Sequence, residues 1–280
     1  MTKPKIGIMQ GRLSEQYGNQ IQIFPKNSWQ SEFEKAKKCR FKVIEWIFDT
    51  SCPNPILTNE GRSQIKKLSK NNGISINSIC ADYFMVRKLF SETTENIERN
   101  TKKLIELIDC SLNLNISLIE IPFVDSSSLK TDQNKMELVK NLEKISEYIE
   151  KNNIFINLET DLNPIAFKIL MENINHPNIK INYDSGNSAS LQFNVKEELT
   201  ILNKWIQNVH VKDRKINDAT VPLGTGDTNF EEFFSMLAKI QYSGDLIIQG
   251  ARQPKSKFSP ADTCQIYYKF VKQYVDKYYI

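Results

Sequence analysis

The sequence predicts an α/β fold, and within that class a (β/α)8 TIM barrel in which eight parallel strands are enclosed by outer helices. Two observations lead to this prediction. Short apolar segments rich in Ile and Val alternate with helical segments from end to end of the 280-residue chain. The strand segments are continuously apolar rather than alternating, which is typical of strands buried on both faces. Eight units of about 35 residues fill this length, as they do in such barrels.

Eight segments have the apolar, β-branched composition of buried strands. They cover residues 5–9, 42–46, 75–80, 116–121, 154–159, 179–184, 207–211 and 245–249. The segments between them are predicted to be helices, over residues 28–39, 59–72, 94–112, 132–151, 163–173, 196–203, 229–240 and 260–279. The first four show apolar residues three and four positions apart, as amphipathic helices do. These positions are Trp29, Phe33 and Ala36; Ile65 and Leu68; Ile97, Leu104, Ile105 and Ile108; and Met136, Val139, Leu142, Ile145 and Ile149. Gly73 is the predicted C-cap of the second helix.

A doubly wound sheet is the main alternative to the barrel. Such a sheet usually has fewer strands in this length, and no GxGxxG motif follows the first strand. No linker rich in Pro, Gly or Ser divides the chain, and no repeat appears beyond the alternation of strand and helix. We therefore expect residues 1–280 to form a single domain.

The composition narrows the classes of function. The net charge is +4 and Lys residues interleave with Glu on helical faces, so the concentrated basic stripe of a nucleic-acid-binding protein is missing. The five Cys form no CxxC pair, which favours reduced thiols over a disulfide framework. The sequence shows neither an apolar signal segment near its start nor a run of about 18 apolar residues. We expect a cytoplasmic protein with no nucleic-acid partner and no membrane partner.

Four polar side chains follow apolar runs in the second half of the chain. Glu159, Asp184, His210 and Gln249 come directly after IFINL, IKINY, QNV and LII. Because parallel strands separated by helices bring their C-terminal ends to one face, we expect these side chains to converge. Two carboxylates, an imidazole and an amide oxygen make a donor set suited to a divalent metal. The chain has only two His, and the other, His176, lies in a predicted turn on the opposite rim.

Polar residues also mark the ends of the first four predicted strands. Gln10, Glu45, Asp82 and Glu120 are expected to line the mouth of the barrel and to bind substrate. Trp46, beside Glu45, is the predicted stacking surface for a sugar ring.

Three cationic side chains follow strands seven and eight. Lys212, Arg214 and Arg252 are candidates to neutralise a phosphate or another charge on the substrate. The Gly-x-Gly loop at residues 224–227 looks like a phosphate cradle. However, Asp227 or Thr228 would serve as the N-cap of the next helix, so a structural role is favoured for this loop.

Motifs spread over essentially the whole chain resemble those of the xylose-isomerase-like sugar-phosphate isomerase/epimerase family. They are GIMQGRL, IEW, ICADY, NLETD, NYDSGN, NVHVKD and PLGTGDTNFEEFFSMLAKIQYSGDLIIQ. The resemblance implies one divalent metal held by Glu159, Asp184, His210 and the residue at 249, with Glu159 as the catalytic base. Mn²⁺ is the expected ion, with Zn²⁺, Co²⁺ or Mg²⁺ as alternatives. The family resemblance also implies that Asn187 contacts sugar hydroxyls and that the substrate is a small sugar or sugar phosphate. It further implies that the protein could form a homodimer.

The chain departs from the family at position 249, where the epimerases have Glu and this sequence has Gln249. An amide oxygen can bind a metal, but an amide cannot take up or release a proton as a carboxylate does. The departure favours one-base aldose–ketose isomerisation through an enediolate, or a different second base such as Glu120 or Asp82. Two other functions stay open. One is a non-catalytic sugar-binding barrel, and the less favoured one is an abasic-site endonuclease-like hydrolase.

Overall fold

The computed structural model describes residues 2–18, 20–253 and 257–280. Within these residues, eight parallel strands form a closed barrel in sequence order, with β8 paired to β1. The predicted (β/α)8 barrel is therefore confirmed. The strands are β1 (Ile6–Met9), β2 (Val43–Ile47), β3 (Ser78–Cys80), β4 (Leu118–Phe123), β5 (Phe155–Thr160), β6 (Ile179–Asp184), β7 (Ile206–Val211) and β8 (Leu246–Ile248).

Eleven α-helices lie in the described part of the chain. They are α1 (Trp29–Lys38), α2 (Asn59–Asn72), α3 (Tyr83–Val86), α4 (Thr94–Asn113), α5 (Asp132–Glu143), α6 (Ser146–Lys151), α7 (Pro164–Ile174), α8 (Ser185–Ser190), α9 (Val195–Leu202), α10 (Phe230–Lys239) and α11 (Pro260–Tyr278). The structure differs from the prediction in two places. The predicted helix at 132–151 is divided where the Ile145 N–H bonds to the Leu142 carbonyl, three residues back. Two short helices, α3 and α8, follow β3 and β6 at the mouth of the barrel.

Polar side chains determine where several helices begin. Thr58, Thr93, Thr131 and Asn163 each accept a hydrogen bond from a backbone N–H in the first turn of the following helix. Such caps satisfy N–H groups that have no partner inside the helix. The α2 helix ends at Gly73 with φ of 64°, as predicted, because glycine adopts this left-handed conformation without a steric penalty.

Successive side chains of a strand point to opposite sides of the barrel wall. Glu45 on β2 reaches His210 on β7, which is not a neighbouring strand, so this contact crosses the barrel interior. The next residue, Trp46, packs outside the wall against Phe24 and Trp29. The interior thus contains a buried polar layer beneath the mouth. Its members are Glu45, Ser78, Glu120, Asn157, Asn182, Asn208 and His210.

No helix in the described ranges combines the length and the apolar character needed to cross a lipid bilayer.

Candidate functional site

Three potential metal ligands converge where β5, β6 and β7 end. Glu159, Asp184 and His210 are buried, and each offers an oxygen or nitrogen atom within 4.8 Å of those of the others. The Nδ1 atom of His210 lies 3.2 Å from Glu159 Oε2 and 3.9 Å from Asp184 Oδ2. The convergence predicted for these three residues is therefore present, and its geometry could hold a divalent cation.

Two asparagines hold the carboxylates of this triad. Glu159 Oε1 accepts a hydrogen bond from the Asn187 side chain at 2.7 Å, and Glu159 Oε2 accepts one from the Asn182 side chain at 2.6 Å. Asp184 Oδ1 accepts the backbone N–H of Asn187 at 2.8 Å, and this bond also caps α8. The short helix after β6 therefore orients both carboxylates.

Helix α8 is supported from behind by Glu198 on α9. The Glu198 carboxyl accepts hydrogen bonds from the Tyr183 hydroxyl at 2.8 Å and from the Ser188 hydroxyl. Burial raises the pKa of Glu198 to about 7, although both hydrogen bonds lower it. This cluster connects the N-terminal part of α9 to β6 and α8, the two elements that carry Asp184 and Asn187.

Glu45 fixes the orientation of the His210 ring. His210 Nε2 and Glu45 Oε1 are 2.5 Å apart, and both side chains are fully buried. The second oxygen of Glu45 accepts hydrogen bonds from Ser78 and from Asn208, the latter at 2.8 Å. Because Nε2 faces Glu45, Nδ1 is the nitrogen on the side of Glu159 and Asp184 that could bind a metal, and it lies 3.0 Å from the side-chain nitrogen of Asn182.

The charges of Glu45 and His210 stabilise each other. Burial lowers the pKa of His210, but the carboxylates of Glu45 and Glu159 raise it more, and it lies well above its ordinary value. Burial raises the pKa of Glu45, but the interaction with His210 outweighs this and the pKa is lowered.

The side-chain oxygen of Gln249 is the candidate for a fourth ligand to a divalent ion. Its Nε2 donates to Gln22 Oε1 at 2.8 Å. Its Oε1 is buried and has no hydrogen-bond partner among the described residues. A buried amide oxygen without a partner is costly unless something occupies its lone pairs. The donor set of two carboxylates, one imidazole and this oxygen suits a divalent ion.

A cavity of about 560 Å³ opens above these groups on the C-terminal side of the barrel. Seven of the residues predicted from the sequence line it. They are Asp82, Glu120, Glu159, Asn187, Lys212, Arg214 and Gln249. Their contact with a substrate stays a prediction, but the structure brings them to one chamber.

Two of the cations that line this cavity, Lys212 and Arg214, meet at Asn187. Lys212 Nζ lies 3.1 Å from Asp184 Oδ2 and 3.2 Å from Asn187 Oδ1. Arg214 donates to the same Asn187 oxygen at 2.9 Å. Positive charge therefore borders the carboxylates on the side of β7, where it could attract an anionic group of a substrate.

The acidic residues Asp82 and Glu120 have unusual environments. Burial raises the pKa of Asp82 to about 6, against hydrogen bonds from Gln22 and Cys80 that lower it. Burial, followed by the charge of Glu159, raises the pKa of Glu120 well above its ordinary value. Neither carboxyl oxygen of Glu120 has a hydrogen-bond partner among the described residues. Burial without a partner therefore disfavours the charged form of Glu120.

Four residues predicted to bind substrate lie elsewhere. Glu45 is below the cavity, where it binds His210 instead. Trp46 is fully buried outside the barrel wall and donates to Asn54, because the alternation that turns Glu45 inward turns Trp46 outward. Gln10 is 1% exposed and accepts the Ile47 N–H at 2.9 Å. Arg252 borders a separate cavity of about 300 Å³ and donates to the carbonyl groups of residues 14 and 21. None of these four residues lines the cavity of about 560 Å³.

Sequence reasoning missed Asn182, Gln22 and Arg12. Asn182 had a signal, because it lies two residues before Asp184 and therefore faces the same side of β6. Gln22 and Arg12 come from the segment between β1 and α1, and both line the cavity. The described residues of that segment, 10–18 and 20–28, form neither helix nor strand, so its course could not be derived from periodicity.

The Gly-x-Gly loop has a structural role, as the sequence favoured, but neither Asp227 nor Thr228 caps the next helix. The N-cap of α10 is Asn229, whose side chain accepts the Glu232 N–H. The carboxylate of Asp213 accepts the backbone N–H groups of Gly224 and Gly226 at 2.8 Å, and that of Thr228 at 3.1 Å. An internal carboxylate therefore occupies the place that a phosphate would take, and it closes the loop onto β7.

Comparison with known proteins agrees with this geometry. The family model described as xylose isomerase-like TIM barrel matches residues 33–261. A Haemophilus influenzae protein with the provisional name L-ribulose-5-phosphate 3-epimerase SgbU is 28% identical over 267 residues, which cover 89% of each chain.

Two solved structures superpose over nearly the whole chain. An L-ribulose 3-epimerase has a TM-score of 0.77 at 15% identity, and the match covers 98% of this chain and 95% of the other. A xylose isomerase-like TIM barrel protein from Mycobacterium smegmatis, in complex with magnesium, has a TM-score of 0.72 at 16% identity, with 99% and 97% covered. The predicted isomerase class agrees with the curated relative. The match over residues 33–261 shows that the chain belongs to the xylose isomerase-like TIM barrel family.

Proposed function

We propose that this protein is a metal-dependent isomerase or epimerase of a small sugar or sugar phosphate, and that it acts through an enediolate. The observation that carries the proposal is the buried triad of Glu159, Asp184 and His210 together with the unpartnered oxygen of Gln249. The name of the Haemophilus influenzae relative supports a ketose phosphate as substrate, and that of the L-ribulose 3-epimerase supports a free ketose. The cavity of about 560 Å³ suits a molecule of this size.

A divalent ion held by these four residues would supply positive charge that stabilises the oxyanion of the enediolate. Glu159 is the proposed base. It takes a proton from the carbon next to the substrate carbonyl, and the electron pair of the broken C–H bond moves into the enediolate. Asn182 and Asn187 each donate to one Glu159 oxygen, so the carboxylate is held in place for the transfer. Lys212 and Arg214 are proposed to hold an anionic or hydroxyl group at the cavity edge.

The test is turnover by the purified protein loaded with Mn²⁺. The substrates are L-ribulose 5-phosphate, L-ribulose and D-allulose. Each reaction is run in deuterium oxide and monitored by NMR. Solvent deuterium should enter the carbon next to the carbonyl, with formation of an epimer or an aldose.

Glu159→Gln is the matched variant, because the amide keeps one oxygen for the metal but cannot act as a base. Calorimetry with Mn²⁺ should show binding to both proteins, and only the wild type should exchange deuterium. A wild type that binds Mn²⁺ and releases no proton from any of these sugars is a binding protein, and the proposal is then wrong.

A further inference from the structure

The exchange of a carboxylate for an amide at position 249 leaves epimerisation one proton-transfer group short. Inversion at a carbon requires that a proton leave one face and that another arrive at the opposite face. Glu159 can serve one face, and Gln249 cannot serve the other. The inference below rests on the proposed function and concerns the group that serves the second face.

We propose that Asp82 is the second acid–base residue and takes the role that Gln249 cannot. Asp82 follows β3, whereas Glu159 lies on β5, so the two carboxylates approach the cavity from different parts of the wall. Asp82 is partly exposed to the cavity, unlike the fully buried Glu45 and Glu120. Its carboxylate can therefore touch a bound sugar.

The hydrogen bonds around Gln22 determine how Asp82 is presented. Arg12 donates to Gln22 Oε1 at 3.2 Å, and a guanidinium can only donate, so the atom that it meets is the amide oxygen. Gln249 Nε2 donates to the same oxygen at 2.8 Å. The other end of the Gln22 amide is therefore an N–H₂ group, and it donates to Asp82 Oδ2 at 2.7 Å.

The amide at position 249 and the presentation of Asp82 thus depend on each other. A carboxylate at 249 would place two acceptors against each other at Gln22 Oε1. Turning Gln22 over would relieve this, but it would set the Gln22 N–H₂ group against the donor Arg12 and the Gln22 oxygen against Asp82, which only a protonated Asp82 could satisfy. With Gln249, Asp82 receives an N–H and both of its protonation states are allowed. Burial raises the pKa of Asp82 to about 6, so both states are populated near neutral pH.

Two other acids of the cavity are less suited. Glu120 is on β4, the strand that pairs with β5, and therefore lies on the same side as Glu159. Both oxygens of Asp49 are engaged, because Oδ2 accepts the Phe24 N–H and Oδ1 accepts groups of Ser51. Among the described residues, Asp82 Oδ1 has only the weak thiol donor of Cys80, at 3.4 Å.

The step balances without any further reactant. Glu159 takes the proton from the carbon next to the carbonyl, and the C–H electron pair forms the enediolate. The carboxylic acid form of Asp82 then gives its proton to the opposite face of that carbon, and the carbonyl forms again. Glu159 ends protonated and Asp82 ends ionised, and exchange with solvent restores both. In the reverse direction the two residues exchange roles.

The experiment uses the Mn²⁺-loaded protein with L-ribulose 5-phosphate and L-ribulose in deuterium oxide. It measures inversion and, separately, deuterium incorporation into the starting sugar. Asp82→Asn should lower inversion by about 100-fold or more. Incorporation should persist, because Glu159 still removes and returns a proton on its own face. Asp245→Asn is the matched control and should behave as the wild type, because Asp245 is also a partly exposed carboxylate that accepts a side-chain amide N–H, from Asn77 at 2.6 Å, but it precedes β8 at the end of the barrel opposite the cavity. Adding Gln249→Glu to Asp82→Asn should restore part of the inversion.

Three results would overturn the inference. They are inversion by Asp82→Asn within about threefold of the wild type, an equal loss of inversion and incorporation, and a wild type that exchanges deuterium without inverting. The last leaves the proposed function intact, because one-base isomerisation explains it. A wild type that neither exchanges nor inverts removes the proposed function, and the inference falls with it.

Discussion

Glu45→Gln should weaken metal binding even though residue 45 never touches the metal. The change removes the charge that faces His210 Nε2 at 2.5 Å and leaves the side chain nearly isosteric. The ring is then held by a neutral acceptor, Nδ1 becomes a weaker base, and the ring orientation is less well fixed. Loss of such a partner typically costs about 10- to 100-fold in affinity, or about 1.4 to 2.7 kcal/mol.

The same substitution has a calculable cost for folding. With its oxygen kept on His210, the new amide N–H₂ group would face Asn208, which donates to Glu45 Oε2 at 2.8 Å. Two donors would meet in a fully buried place, and one would lose its partner. An unsatisfied buried donor costs about 1 to 3 kcal/mol, so the variant should also unfold at lower denaturant concentration.

A matched control separates the two effects. Glu32 is 1% exposed and accepts hydrogen bonds from the Gly11 N–H and the Ser14 hydroxyl, both at 2.9 Å. Neither partner is a proposed metal ligand. Glu32→Gln should therefore lower stability and leave the calorimetric Kd for Mn²⁺ unchanged. If both variants bind Mn²⁺ with the Kd of the wild type, the reasoning about the Glu45–His210 pair is wrong.

Three further predictions concern the base, the support of α8 and a packing constraint. Glu159→Gln should lose at least about 100-fold in deuterium exchange with sugars and still bind Mn²⁺ by calorimetry; equal exchange would show that another group removes the proton. Burial raises the pKa of Glu198 to about 7 from 4.5, so its stabilising contribution is complete below about pH 4.5 and declines as the pH rises through 7. In urea titrations the free energy of unfolding of the wild type should fall by about 3 kcal/mol more over this pH range than that of Glu198→Gln. The same pH profile in both proteins would contradict the raised pKa. In Gly61→Ala the added Cβ would lie 2.0 Å from the Pro55 carbonyl oxygen, so the free energy of unfolding should fall by about 1 to 3 kcal/mol and the melting temperature should fall with it. An unchanged melting temperature would show that the backbone at Pro55 can move without cost.

The sequence predicted the barrel and the convergence of Glu159, Asp184 and His210 because both depend on local patterns. Continuous apolar runs mark β5 and β6, and their ends at Glu159 and Asp184 agree with the observed strands to within one residue. The predicted strands at 75–80 and 245–249 are longer than β3 and β8, which have three residues each. Closing a barrel staggers its strands, and the extent of pairing at each end is set by neighbours that a single segment does not reveal.

The structure places residues away from the cavity where the prediction required a choice between two sides of the wall. Glu45 and Trp46 are adjacent in the sequence, and both were expected at the mouth, but alternation places them on opposite sides. The height of Glu45 within the barrel was also unknown, since only the contact with His210 shows that it lies below the cavity. Gln22 could not be predicted, because its position depends on an irregular segment that crosses the mouth to reach Asp82 and Gln249.

The contact between Glu45 and His210 also makes the proposed metal site a property of the assembled barrel rather than of half of it. All four proposed ligands come from the half that contains β5 to β8, whereas the carboxylate that turns the imidazole comes from β2 in the other half. A fragment with β5 to β8 alone would carry every ligand and still lack the group that selects the coordinating nitrogen. Metal affinity should therefore report whether the two halves have docked, so an ion could serve as a probe of assembly in fragment-complementation experiments.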